Sequence, residues 1–174
     1  VEIYRDAHGV THVKASAEAD LYRGMGYCHA RDRGLQLFLL RVLAYGRGSE
    51  LLDGSDEMLA IDTFFRRLNF GKAVVGEAAR VVGKDRELAQ AYCDGVNASL
   101  TERVPWELRL LRYRPSPWQI ADTILLSRVI GYIALAQSQG EIERLLIEMV
   151  QAGISRERLD ELFPGALGGL DAAL

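Results

Sequence analysis

Histidine and cysteine are scarce in this chain, and much metal and nucleophile chemistry is absent with them. The three histidines, His8, His12 and His29, lack the i, i+4 spacing of a metal-binding helix, and no GxSxG-type elbow stands beside them. The two cysteines, Cys28 and Cys93, form no CxxC or Cys/His pattern, so no protein-held zinc is expected. They allow at most one internal disulfide. Both fall on apolar stripes of helical patterns, which favours buried free thiols over a bridge. A Walker loop and a GxGxxG turn are missing as well, and no organic cofactor is expected. Positive charge is not in excess: 21 Lys and Arg against 24 Asp and Glu leave a formal net charge of -3. With no basic stripe carrying interleaved aromatics, nothing argues for a nucleic-acid partner. Long hydrophobic runs are also lacking. Residues 124–136 are nearly all apolar, but they include Ser127 and Arg128 and are too short to span a bilayer, so no membrane span is expected. The chain starts at Val1 with no charged and then apolar leader, which points to a removed export signal or a trimmed chain. Three of the four prolines crowd into residues 104–118, and no linker or repeat divides the chain, so one domain is expected over 1–174.

What is present is apolar content, 49% of residues, laid out mostly at helical spacing. Residues 17–45 read as one long helix, with Ser16 as its N-cap. Leu21, Met25, Cys28, Asp32, Leu35, Leu39 and Val42 recur at spacings of 4 and 3, predicting a buried stripe that contains one carboxylate. A lone buried charge costs several kcal/mol, roughly, so Asp32 calls for a cationic partner other than Arg31 or Arg33, which face elsewhere. Gly24 and Gly26 are spaced for close helix packing. His29 reads as a polar residue on a long helix, in preference to a catalytic one.

Before that helix, Val1 and Ile3, then Val10, His12 and Lys14, alternate around the turn Asp6-Ala7-His8-Gly9, predicting a short β-hairpin. After it, Gly46 and Gly48 end the helix. Further helices are expected from about Ser55, from Lys84 to about Arg103 with Ala89, Cys93, Val96 and Leu100 on one face, and from Asp122 to about Gln137. The last of these is apolar nearly all round and is expected to be deeply buried. Gln137-Ser138-Gln139-Gly140 should interrupt it, before an amphipathic helix with Ile142, Leu145, Leu146, Met149 and Val150 and a short one over 155–163. The Gly/Ala/Leu-rich residues 164–174 read as a loosely held tail. These residues alone hold no complete catalytic constellation.

Five motifs, in order along the chain, resemble the small chain of the penicillin acylase (penicillin amidase) family. Val1-Glu2-Ile3-Tyr4-Arg5-Asp6-Ala7-His8-Gly9-Val10-Thr11-His12-Val13 is similar to its V-x-I-x-R-D-x-x-G-V-P-H-I. Gly26-Tyr27-Cys28-His29-Ala30-Arg31-Asp32-Arg33 resembles GY-x-HAQDR, and Gly46-Arg47-Gly48-Ser49-Glu50-Leu51-Leu52 resembles GR-x-SE-x-LG. Ala91-Tyr92-Cys93-Asp94-Gly95-Val96-Asn97-Ala98 is similar to GYADGVNA, and Leu111-Arg112-Tyr113-Arg114-Pro115-Ser116-Pro117-Trp118 to L-x-YRPEPW. Thr11, Arg31 and Asp53 depart from the pattern.

The resemblance implies a fold that is mostly α in this chain with a short N-terminal β-hairpin, and, with a large chain, the α+β four-layer αββα sandwich of the N-terminal-nucleophile hydrolases. It implies a precursor that cleaves itself into this small chain, with a flexible processed tail at 164–174, and a large chain. The large chain's first residue is the nucleophile and its own α-amino group the base. It follows that this chain carries no catalytic residue. By alignment back from a family glutamate, Gly131, Ala134 and Leu135 are implied to line the acyl pocket and Glu141 to join a structural Ca²⁺ site completed by the large chain. Plain core packing for the three, and a dipole-favoured helix N-terminal position for Glu141, stand as the alternatives. The activity so implied is hydrolysis of the amide of a small-molecule N-acyl substrate, such as a penicillin or an acyl-homoserine lactone, in a periplasmic or secreted protein. The competing readings are a non-catalytic homologue or scaffold chain, and a free-standing helical binding domain.

Overall fold

The computed structural model describes residues 1–165; the expected tail lies, beyond Gly165, outside the described residues. Its residues group into two compact units, Val1–Val129 and one beginning at Ile130, and the division falls within helix, not at a linker. The fold is mostly helical, with a single two-stranded sheet among the described residues.

The first unit opens with β1 (Glu2–Arg5) and β2 (Thr11–Lys14), an antiparallel hairpin pairing Ile3 with Val13 and Tyr4 with His12. Its turn is closed by Asp6, whose carboxylate accepts from the N–H groups of His8 and Val10 at 2.9 and 3.0 Å, while Gly9 takes the positive φ of 79°. Then come α1 (Glu18–Ala44), α2 (Gly48–Leu51), α3 (Asp56–Leu68), α4 (Val74–Arg80), α5 (Gly83–Glu102) and α6 (Trp106–Leu110). Ser55 caps α3 by accepting from Met58 N–H, and α3 ends at Asn69 in the left-handed region. The N-cap of α1 is Ala17, without a side-chain bond, and not Ser16.

The core of this unit is built where α1 crosses α5, and it corrects the expected stripe. Leu21 and Met25 are exposed, and Asp32 lies at the surface. The buried face of α1 is Gly24, Gly26, Cys28, Ala30, Gly34, Phe38, Arg41, Val42 and Ala44. Small residues fill its first half because the neighbouring backbones come so close: a Cβ on Gly26 would stand 2.1 Å from the Tyr92 carbonyl oxygen. A break at Arg33 (φ -132°, ψ 23°) then re-phases the helix, and large residues take over. Phe38, Cys93, Val96, Leu108 and Trp118 form one cluster, and Ala44, Val74, Leu125 and Val129 another. Burying a side chain such as Phe38 or Leu125 contributes about 1.5–3 kcal/mol.

Helical residues continue from Ile120 to Gln151 through α7 (Ile120–Gly131), a π-helical turn (Tyr132–Ala136) and α8 (Gln137–Gln151); α9 (Arg156–Leu162) follows, capped by Ser155. The interruption expected at 137–140 is absent. Ser138 Oγ bonds back to the Ala134 carbonyl at 3.1 Å and Gln139 to Glu143 at 2.7 Å, and Gly140 is carried at a cost near 1 kcal/mol. By length and composition this run of 32 residues is the one helix among the described residues able to cross a membrane. Its first ten residues instead pack in the first unit's core, where Arg128 binds Glu77 and the Phe70 carbonyl. The deep burial expected along the whole apolar helix holds only to Val129: Ile130, Ile133 and Leu135 are exposed.

Candidate functional site

Three polar clusters organise the first unit. The Arg41 guanidinium is buried and donates to Asp122 Oδ2 at 3.2 Å, to the carbonyls of Ser116 and Pro117 at 3.1 and 3.4 Å, and to the Tyr113 hydroxyl at 3.4 Å. It also stands 4.9 and 5.3 Å from the Phe38 and Trp118 rings. Asp122 accepts further from Gln119 N–H at 2.9 Å and from Tyr45 OH at 3.3 Å, so both charges are paired and hydrogen-bonded. Burial, with the Asp122 charge beside it, pushes the Tyr45 phenol up to about 12. Asp62, also buried, accepts from the N–H groups of Gly48 and Ser49 at 2.7 and 2.8 Å and from Ser49 Oγ at 2.5 Å. Burial alone would raise its carboxyl, but these donors and Arg66 outweigh burial and hold it below the usual carboxylate range. On the surface, Asp32 is bound by Arg5 of the hairpin, with Thr11 Oγ1 at 3.5 Å. The cationic partner required of Asp32 is thus real and is neither Arg31 nor Arg33, but the pair is exposed and the buried ionic fastening is Arg41–Asp122.

Two of the three histidines have polar side-chain partners in the fold. His29 Nδ1 lies 3.1 Å from Tyr92 OH, and His12 stacks on Tyr4 with its Nε2 3.0 Å from Asp6. Cys28 and Cys93 are buried and unbridged; burial pushes the Cys93 thiol up to about 11. Among the described residues no group of three or more His, Cys, Asp or Glu could hold a metal.

The residues expected at a binding site all fall in one stretch of the second unit. Gly131 is the last residue of α7, and Ala134 and Leu135 lie in the π-helical turn Tyr132–Ala136. Such turns are rare and concentrate at functional sites, since the extra residue re-aims the side chains of one face. Gly131 is half-buried; Ala134 and Leu135 are exposed, Leu135 by 72%. Core packing for Ala134 and Leu135 is therefore set aside within this chain. Glu141 is exposed in the body of α8, past its first turn, so the dipole-favoured N-terminal position does not apply.

A family model described as penicillin amidase matches residues 1–169. The chain belongs to the penicillin amidase family. It is 36% identical to a penicillin acylase 2 proenzyme of Pseudomonas sp. strain SE83 over 76% of this chain and 17% of that protein. It is 30% identical to the acyl-homoserine lactone acylase QuiP of Pseudomonas putida over 95% of this chain and 20% of that one. The chain thus spans about a fifth of the length of the curated relatives it matches. A thermostable penicillin G acylase structure from Alcaligenes faecalis shares the fold, with a TM-score of 0.66 and 24% identity over 99% of this chain and 93% of that one. In this penicillin amidase family member the motif residues are mostly fastenings. Gly26 and Gly95 let α1 and α5 touch, Ser49 binds Asp62, and Asp32 binds Arg5. Asn97 exchanges two hydrogen bonds with the Trp118 backbone, at 2.7 and 3.0 Å.

Proposed function

We propose that this chain is the small chain of an amide hydrolase whose large chain carries an N-terminal nucleophile. One observation carries the reading: 99% of this chain matches 93% of one chain of a penicillin G acylase structure, whereas its match to a proenzyme relative covers 17% of that protein. The relatives named as acylases act, by their names, on penicillin or on acyl-homoserine lactone, and those molecules share an acyl group in amide linkage. The substrate is accordingly an N-acyl amide with an apolar acyl group. The large chain's hydroxyl attacks the amide carbon while its own α-amino group takes the proton and passes it to the departing amine, and water then attacks the acyl-enzyme to release the acid and restore the hydroxyl. This chain contributes no reacting atom. Gly131, Ala134 and Leu135 form one wall of the acyl pocket, small and apolar, with the π-helical turn setting their aim. Such a wall favours a long or bulky acyl chain over a compact one and offers no cation to a substrate carboxylate.

Glu141 fits a calcium ligand in one respect: its carboxylate is exposed and makes no ion pair among the described residues. Ca²⁺ takes about six to eight oxygens, so the large chain supplies the others. The ion's chemistry there is to hold the two chains together.

The experiment is a panel of acyl p-nitroanilides of increasing chain length, assayed on the two-chain protein before and after Leu135→Phe. The variant shifts the optimum to shorter acyl groups. An unchanged optimum removes these three residues from the pocket, and absence of hydrolysis across the panel, with no Ser, Thr or Cys starting a second chain, removes the enzyme reading itself.

A further inference from the structure

Residues 103–114 carry Arg103, Arg109, Arg112 and Arg114 against Glu107 alone, with Trp106 and Tyr113 among them, so this one short run departs from the expected lack of a basic stripe in a chain of net charge -3. None of the four arginines is ion-paired among the described residues, whereas Arg5, Arg23, Arg31, Arg41 and Arg128 each are. Arg109, Arg112 and Arg114 stand around one groove of roughly 800 Å³ whose apolar lining includes Leu100, Val104 and Pro115. In the same twelve residues Trp106 and Leu110 are 62% and 74% exposed. Exposed Trp and Arg side by side are the composition of a protein interface's anchoring centre. A small anion would account for the arginines, but it leaves Trp106 and Leu110 in water. The matched relatives hold some four-fifths of their length outside this match, so a partner surface exists within the same polypeptide.

We propose that residues 103–114 and their groove are the docking surface for an acidic stretch of the large chain. Its Asp and Glu side chains pair with Arg109, Arg112 and Arg114 while its apolar side chains cover Trp106 and Leu110. This rests on the two-chain reading given above. Long-range attraction of this kind steers assembly and makes it salt-sensitive.

The test uses the intact two-chain protein. In Arg109→Glu/Arg112→Glu/Arg114→Glu the chains separate at about tenfold higher protein concentration or more, and the salt dependence of association shrinks. Arg67→Glu/Lys72→Glu, the same change of sign at exposed residues outside this stretch, leaves both unchanged. Phenylglyoxal labelling of the unmutated protein gives a reading independent of whether the variants fold: the three groove arginines are protected relative to Arg67. Labelling as fast as Arg67, or an association constant equal to the control's, overturns the proposal. So does protection that appears only when anionic vesicles or single-stranded nucleic acid are added. A preparation whose mass spectrum holds no second chain sinks the two-chain reading, while a two-chain protein with freely labelled arginines sinks only this one.

Discussion

The carbonyl oxygen of Arg23 occupies the place where a β-carbon on Gly95 would be, 1.9 Å from its ideal position. With Gly26 against Tyr92, this fixes the crossing of α1 and α5 at backbone contact, and neither backbone can retreat without opening the cluster around Cys93 and Val96. Gly95→Ala or Gly26→Ala is expected to cost at least about 3 kcal/mol, read as a lower urea midpoint of the assembled protein. Gly54→Ala, where no atom stands within 4 Å, stays within about 0.5 kcal/mol. Equal tolerance at Gly54 and Gly95 would mean that the two helices do not touch there.

The same crossing explains what could be read in advance. The hairpin, the α1 and α5 boundaries and the start of α3 near Ser55 were legible because each is a local signal: alternation, periodicity or a turn residue. The face of α1 was legible only in part, at Cys28 and Val42, which the expected stripe shares with the buried face. The spacing pointed to Leu21 and Met25, with Asp32 among them, while the true face begins with glycines whose neighbours lie elsewhere in the chain: Gly24 against Val1 and Val13 of the hairpin, and Gly26 against Tyr92 of α5, 66 residues away. The Arg41–Asp122 pair spans 81 residues and leaves no periodic trace. The arginines of 103–114 could be counted in the sequence, but only the fold sets three of them around one groove. At the candidate site the residue numbers came from family resemblance, whereas the π-helical turn that holds Ala134 and Leu135 came from the structure.

Arg41 and Asp122 tie α1 to α7 and to the proline-rich connector through one buried pair. Asp122→Ala leaves the guanidinium buried without its counter-charge and is expected to cost about 3–5 kcal/mol. Arg41→Met/Asp122→Leu recovers part of this, the remainder reflecting the Ser116 and Pro117 carbonyls that lose their donor. A double-mutant cycle on unfolding free energies measures the coupling; a value near zero would refute the pair as a fastening.

Asp62 makes acid sensitivity a local matter. Because its folded carboxyl is held below the ordinary range, its contribution is complete above the unfolded value near 4 and is lost as pH falls through the folded value. Asp62→Asn is expected to cost about 2–4 kcal/mol at pH 7, where the Gly48 and Ser49 donors lose a charged acceptor. The gap between parent and variant narrows below about pH 4. A gap that is constant from pH 7 to pH 2 contradicts the depressed carboxyl.

Burial raises both thiols, that of Cys93 to about 11. At pH 8 neither is a thiolate, and neither is open to solvent. Iodoacetamide is expected to leave the native protein unlabelled at pH 8 and to label both residues once urea unfolds it. Labelling of Cys93 in the native state would show that the α1–α5 core opens.

Calcium offers the sharpest test of Glu141. At an ion concentration a hundred times its dissociation constant, linkage adds about 2.7 kcal/mol to the stability of whatever the ion binds. Chelation is therefore expected to lower the Tm of the two-chain protein, and restoring Ca²⁺ to raise it again. Glu141→Gln keeps size and helix propensity but removes the anionic ligand, so it should abolish most of the calcium-dependent part of Tm and leave the chelated value near the parent's. Glu143 lies two residues on in the same helix and accepts from Gln139, so Glu143→Gln changes charge without touching the proposed ligand. If Glu141→Gln and Glu143→Gln respond to calcium as the parent does, the ion binds without this chain. If both lose the response equally, the effect is one of net charge along α8 and not of coordination.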